Sequence, residues 1–176
     1  VTTPTTGLVL VYTGDGKGKT TAALGLAFRA LGRGLRVAVL QFVKGRWPTG
    51  ERMLAERGLP GLDWEVLGEG FTWEGSDPAI HADAARAGWT RARALLSAGA
   101  HDVVVLDELT YPLARGWVDV AELIAALRAR RPGMHVVVTG RDAPAPLVEA
   151  ADLVTEMRKV RHPYDAGVKA LPGVDF

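Results

Sequence analysis

The run Leu8-Val-Leu-Val-Tyr-Thr-Gly-Asp-Gly-Lys-Gly-Lys-Thr-Thr21 leaves a chain few folds to choose from. Its apolar half reads as a buried strand. Gly14, Gly16 and Gly18 then turn the backbone sharply, and a helical pattern runs from about Lys19 to Leu31. At such a junction the backbone N–H groups of the glycine turn and the positive end of the helix dipole face the same point, which favours an anion there. Lys19 adds a full positive charge, and the Thr20 hydroxyl is a hard oxygen donor suited to Mg²⁺. The expectation is a nucleoside triphosphate bound over Gly14, Asp15, Gly16, Lys17, Gly18, Lys19, Thr20 and Thr21. The usual form of this loop places four residues between its first glycine and the Gly-Lys pair. Here only Asp15, Gly16 and Lys17 separate Gly14 from Gly18, and Thr13 stands one position earlier.

The rest of the chain repeats the alternation of short apolar runs with longer helical ones. Strands are predicted over Arg36–Val43, near Asp63–Leu67, over His101–Asp107 and Met134–Thr139, and at Asp152–Met157. Helices are predicted over Gly50–Arg57, from Asp77 to Ala98 with Pro78 in the first turn, over Asp119–Arg131, and over Ala145–Ala151. Arg158–Phe176 reads as an irregular tail. Near-continuous Val/Leu strands alternating with helices predict a mostly parallel sheet of about six strands, covered by helices on both faces. No repeat or linker divides the 176 residues, so a single domain over 1–176 is expected.

Composition narrows the chemistry. The chain has no cysteine, which excludes disulfides, thiolate metal sites and a cysteine nucleophile. A formal net charge of +1 gives no footprint for nucleic acid. No apolar run reaches the roughly 18–20 residues of a membrane span, and the first residues lack a secretory pattern, so a cytoplasmic location is expected. The four histidines, His81, His101, His135 and His162, show no metal-ligand spacing and read as structural or surface residues. With no catalytic triad or paired acids in view, any reaction must proceed without a protein nucleophile.

Three further groups accompany the loop. Val103-Val-Val-Leu-Asp-Glu108 ends an apolar strand in two carboxylates, and the strand ends of a parallel sheet open onto the ligand crevice. Asp107 and Glu108 are therefore candidates to reach a metal held by Thr20. Gly68-Glu-Gly-Phe-Thr-Trp73 carries two aromatics on a glycine-rich loop; Phe71 and Trp73 serve either as core anchors or as a flat apolar wall for a planar ligand. Gln41-Phe-Val-Lys-Gly45 and Thr139-Gly-Arg141 end their strands with polar groups, as ligand contacts or as surface loops.

Taken in order, Gly14–Ala23, Gln41–Gly45, Gly70–Trp73, Val105–Thr110, Val138–Arg141 and the ending Gly173–Phe176 resemble the ATP:corrinoid adenosyltransferases of the cobalamin-synthesis type. The resemblance covers nearly the whole chain. It implies a P-loop RecA-like three-layer sandwich, usually a homodimer, in which the Co(I) centre of a corrinoid attacks the ribose 5′-carbon of ATP and triphosphate leaves. It implies ATP as co-substrate, Mg²⁺ or alternatively Mn²⁺ on Thr20 and Glu108 with Asp107 as supporting or alternative ligand, and a reductant such as a flavoprotein as partner. Lys19 and Thr20 would act on the departing triphosphate. Phe71 and Trp73 would lie beneath the corrin and keep its lower ligand off cobalt. Arg29 would be a supporting phosphate or structural contact. ATP is held in a reversed sense in this family, which fits the shortened loop. Asp15 replaces the usual Asn, and the stretch before the first strand is short where relatives carry a longer arm. Two other readings stand beside this one: an ordinary P-loop NTPase or small-molecule kinase, and a nucleotide-gated corrinoid carrier without turnover.

Overall fold

The computed structural model describes residues 7–43, 48–67 and 78–176. Six strands are present: β1 (Val9–Thr13), β2 (Val37–Gln41), β3 (Leu62–Val66), β4 (Val103–Asp107), β5 (His135–Thr139) and β6 (Leu153–Glu156). The helices are α1 (Lys19–Leu31), α2 (Gly50–Glu56), α3 (Pro78–Ala98), α4 (Thr110–Ala114), α5 (Val120–Ala129) and α6 (Ala145–Ala150), followed by a 3₁₀ turn at Pro163–Ala166. The sheet order is β3-β2-β4-β5-β1-β6, and every pairing is parallel.

Successive strand side chains point to opposite faces, and the core divides accordingly. Val9, Val11, Ala38, Leu40, Val104, Leu106, Val136 and Val138 face one side, where α3, α5 and α6 cover them with Trp89, Leu96, Leu123, Leu127 and Leu147. Leu10, Val37, Val39, Val103, Val105 and Val137 face the other side and meet Ala23, Ala27 and Ala30 of α1. The alanine stripe lets α1 lie close on the sheet. This is the predicted three-layer α/β sandwich. The separation of β1 from β4 by one strand, β5, is the RecA-like arrangement, and it puts three strand ends side by side where the loop after β1 emerges.

Local chemistry explains where elements start and stop. Asp119 caps α5 by accepting the Ala121 N–H at 2.7 Å. The helix stops at Ala129 rather than at Arg131, because Arg130 turns extended (φ −61°, ψ 157°). Its guanidinium donates back to the carbonyl of Leu127, an acceptor in the last helical turn, and also to that of Met134 just before β5. β2 ends at Gln41, two residues short of the expected Val43. The Arg36 end of β2 is tied by Asp102, whose carboxylate accepts the Arg36 N–H at 2.9 Å and an Arg131 N–H at 2.8 Å. The Arg36 N–H, followed by Arg131, holds this carboxyl below its ordinary range. The expected cap Asp77 lies outside the described residues. Helix α4, directly after the β4 carboxylates, was absent from the sequence expectation. It is a single turn with Pro112 inside it, too short for periodicity to show.

Candidate functional site

The glycine loop leaves β1 and enters α1 as expected, but its shape depends on the far end of the chain. Gly14 (φ 93°) and Gly18 (φ 119°) adopt conformations that side-chain-bearing residues rarely take. Gly14 and Gly16 also lie against the backbone that follows β6. A Cβ on Gly14 would fall 2.6 Å from the Met157 carbonyl oxygen, and one on Gly16 would fall 2.7 Å from it. The Gly16 N–H donates to that same oxygen at 2.6 Å. The short loop is thus packed onto Met157. Thr13, in the place of the usual first glycine, remains in β1 and accepts the Ala143 N–H on its hydroxyl at 3.2 Å.

Lys19 is buried, and its ammonium donates to the carbonyl oxygens of Gly14 at 2.7 Å and Gly16 at 2.8 Å. Burial lowers its pKa from the ordinary lysine value, and the negative field of Glu108 works against that shift. An ammonium has three N–H donors, so the two loop carbonyls hold the charge at the mouth of the loop and leave donor capacity for an anion.

Thr20 and Asp107, 87 positions apart in sequence, meet across the strand ends. The Thr20 hydroxyl donates to Asp107 Oδ1 at 2.9 Å. Asp107 is completely buried. Gln41 at the end of β2 donates to its Oδ2 at 3.1 Å, and Thr139 at the end of β5 donates to Oδ1 at 2.7 Å. The Thr139 hydroxyl oxygen also accepts the Glu108 N–H at 2.9 Å. Glu108 sits at φ 61° and lines the cleft beside the loop. A left-handed non-glycine conformation costs about 1–3 kcal/mol and persists only where its surroundings enforce it. Here Thr139 enforces it from the neighbouring strand. Gly140 follows at φ 134°, and a Cβ there would meet the Thr110 hydroxyl oxygen at 2.0 Å.

The sequence candidates therefore separate. Gly14, Gly16 to Thr21, Asp107 and Glu108 come together, joined by Gln41 and Thr139, which strand-end position had marked only as alternatives to surface loops. Arg29 stays apart. It is exposed in the last turn of α1, about 15 Å along the helix axis from Lys19, and is not among the residues lining the cleft. Asp15 is exposed and shares a separate hollow of about 300 Å³ with Arg141, Glu156, Met157, Arg158 and Lys159, a lining of mixed charge. Phe71 and Trp73, with Lys44, Gly45 and Gly70, lie outside the described residues.

Each histidine has a packing or capping partner. His81 stacks on Trp117, His101 Nε2 contacts Asp63 at 2.6 Å, His135 Nδ1 accepts the Leu8 N–H, and His162 caps the 3₁₀ turn. None of them lines the cleft beside the loop. That cleft, of about 660 Å³, runs from Glu108 past the loop and along the outer flank of α1 to Phe28, with Glu51 and the segment 173–176 closing it. Among the described residues, no helix is long and apolar enough to cross a membrane.

Comparison with known proteins agrees with this layout. Among solved structures, the flagellar accessory protein FlaH from Methanocaldococcus jannaschii superposes with a TM-score of 0.53 at 14% identity, over 86% of this chain and 71% of that one; the likeness concerns the fold. The corrinoid adenosyltransferase CobA of Salmonella typhimurium is 45% identical over 97% of this chain and 86% of its own length. The corrinoid adenosyltransferase of Escherichia coli K12 is 44% identical over the same shares, and that of Pseudomonas aeruginosa is 45% identical over 97% and 84%. The model of the ATP:corrinoid adenosyltransferase family BtuR/CobO/CobP matches residues 5–176. With its phosphate loop joined to a buried carboxylate on β4 and a family match over almost its full length, the chain belongs to the ATP:corrinoid adenosyltransferases.

Proposed function

We propose that this protein transfers the 5′-deoxyadenosyl group of ATP to the Co(I) centre of a corrinoid, for adenosylcobalamin synthesis or salvage. A cobalt–carbon bond forms at the ribose 5′-carbon, the carbon–oxygen bond to the α-phosphate breaks, and triphosphate departs with the electron pair. The observation that carries the reading is the Thr20–Asp107 contact at 2.9 Å, which joins the phosphate loop to a polar strand-end cluster within a chain of this family. The site offers groups that bind and stabilise a leaving polyanion. Co(I) is itself a strong nucleophile, so a general base is not needed.

The tasks left to the protein are alignment and charge stabilisation. The loop N–H groups and Lys19 receive the triphosphate. Thr20, Glu108 and Asp107 offer hydroxyl and carboxylate oxygens, the hard donors that Mg²⁺ prefers, and would hold that ion. Asp107, already engaged by Thr20, Thr139 and Gln41, suits a supporting role, with Glu108 and Thr20 as the direct donors. When bound, Mg²⁺ offsets the charge that builds up on the leaving group. Phe71 and Trp73 would supply the corrin-facing wall. We further propose a single domain over 1–176, a homodimer, a cytoplasmic location, and a flavoprotein-type reductant that delivers Co(I).

The test is one incubation with ATP, Mg²⁺ and chemically reduced corrinoid. A light-sensitive alkylcorrinoid and intact triphosphate are expected in equal amounts. Release of phosphate or ADP without alkylation would point instead to an ordinary NTPase or kinase.

A further inference from the structure

Lys17 is the one loop lysine whose ammonium is not directed at the loop itself. Its Nζ lies 2.7 Å from Asp175 Oδ1, with side-chain exposures of 43% and 24%. The other carboxylate oxygen of Asp175, Oδ2, accepts the Leu171 N–H at 2.9 Å. The Asp175 N–H in turn donates to the Leu171 carbonyl at 2.8 Å, and the Gly173 N–H donates to the Phe176 carbonyl at 2.7 Å. The segment 171–176 is thus a closed turn, and both oxygens of one carboxylate are committed: one ties the turn to itself, the other ties it to the phosphate loop. Lys17 and then the Leu171 N–H hold this carboxyl below its ordinary range. Gly173, Val174, Asp175 and Phe176 line the same cleft as Lys19, Thr20 and Glu108.

Two physical points follow. A carboxylate facing a cleft for a polyanion repels its ligand unless a cation neutralises it. Lys17 supplies that cation at contact distance. A free turn would also lose conformational freedom when ligand docked against it, and a turn already tied down pays less of that entropy on binding. We propose that the segment 171–176 is a fixed wall of the nucleotide cleft, that the Lys17–Asp175 ion pair fastens it to the phosphate loop, and that both are positioning residues for ATP. In this arrangement Lys17 acts on the nucleotide through Asp175 and the wall, whereas Lys19 acts on the phosphates directly. The proposal rests on the reading of this cleft as the ATP site.

The test compares Asp175→Asn, Asp175→Glu, Lys17→Gln and the Lys17→Gln/Asp175→Asn pair. ATP binding is titrated calorimetrically with Mg²⁺ and no corrinoid, and KM for each substrate is measured separately. Asp175→Asn should weaken ATP binding by about 3–10-fold, above the low end set by an exposed ion pair because the wall loosens too. KM for the corrinoid and the melting temperature should stay near those of the parent, and Asp175→Glu should recover part of the affinity. The double variant should bind ATP no more weakly than Lys17→Gln alone, since one broken tie is shared. Parental affinity in Asp175→Asn, additive losses in the double variant, or equal losses in corrinoid KM and melting temperature would overturn the proposal. Absence of alkylcorrinoid product from the parent protein would instead sink the adenosyl-transfer reading, and leaves the binding arms readable by themselves.

Discussion

The Thr139 hydroxyl, at the end of β5, donates to Asp107 Oδ1 on β4 at 2.7 Å and accepts the Glu108 N–H at 2.9 Å. One oxygen therefore fixes a buried carboxylate and holds the next residue in a left-handed conformation. Thr139→Val keeps the shape but removes both bonds. A buried polar group left without its partner costs about 1–3 kcal/mol, so we expect a loss of stability of that order in denaturant titrations. Because Glu108 and Asp107 would also lose their placement, KM for Mg²⁺-ATP should rise about tenfold or more. Thr139→Ser should retain both properties.

Gly140→Ala probes the neighbouring peptide. Its Cβ would fall 2.0 Å from the Thr110 hydroxyl oxygen at a φ of 134°. Overpacking and backbone strain act together, and the expected destabilisation is about 2–4 kcal/mol. Since Thr110 donates to the Arg141 carbonyl at 2.5 Å, the strand-end loop should shift as well. Chemical unfolding measures the first effect and ATP titration the second.

Asp102 gives a pH dependence with a definite sign. Its carboxyl is held below the ordinary carboxylate value of 3.8 by the Arg36 N–H and by Arg131. A folded-state value below the unfolded one adds stability that is fully present above the unfolded value. It fades as pH falls below 3.8 through the folded value. Asp102→Asn should lower stability by about 1 kcal/mol at neutral pH and flatten the acid limb of the stability curve. An acid limb identical to the parent's would refute the assignment.

Trp73→Ala tests the corrin-facing role that family resemblance gives to the Phe71–Trp73 loop. The expected result is impaired reduction of enzyme-bound Co(II) with ATP binding little changed, read as loss of the four-coordinate Co(II) signal by electron paramagnetic resonance. An unchanged signal would show that Trp73 does not keep the lower ligand off cobalt.

Much of the architecture was legible because strand periodicity and loop chemistry are local. The loop, α1 over Lys19–Leu31, and α2, α3, α5 and α6 to within a residue or two all follow from sequence patterns. Strand ends were overestimated: at Val43 because apolar composition continues past the point where ladder pairing stops, and at Arg36 and His101 because polar residues just outside the ladder, Asp102 among them, tie the strand edges through side chains. Arg29 shares the helix with the loop and directly follows Phe28, which lines the cleft; helical periodicity alone does not say that Arg29 stays off that lining.

Sequence by itself determined that the Gly14–Thr20 loop would join a strand to a helix, with three glycines and Lys19 at the junction. Glycine conformations, the helix dipole and a neighbouring lysine act within a few residues of one another. Only the tertiary structure decided that β5 would lie between β1 and β4. That strand order brings Thr20, Gln41 and Thr139 onto the Asp107 carboxylate. It likewise decided that Met157 would seat the short loop and that Asp175 would take Lys17. These partners are separated by tens to more than a hundred residues. Hydrogen bonds and ion pairs act over a few ångströms, so their choice of partner is settled by packing of the sheet and not by any neighbour in the chain.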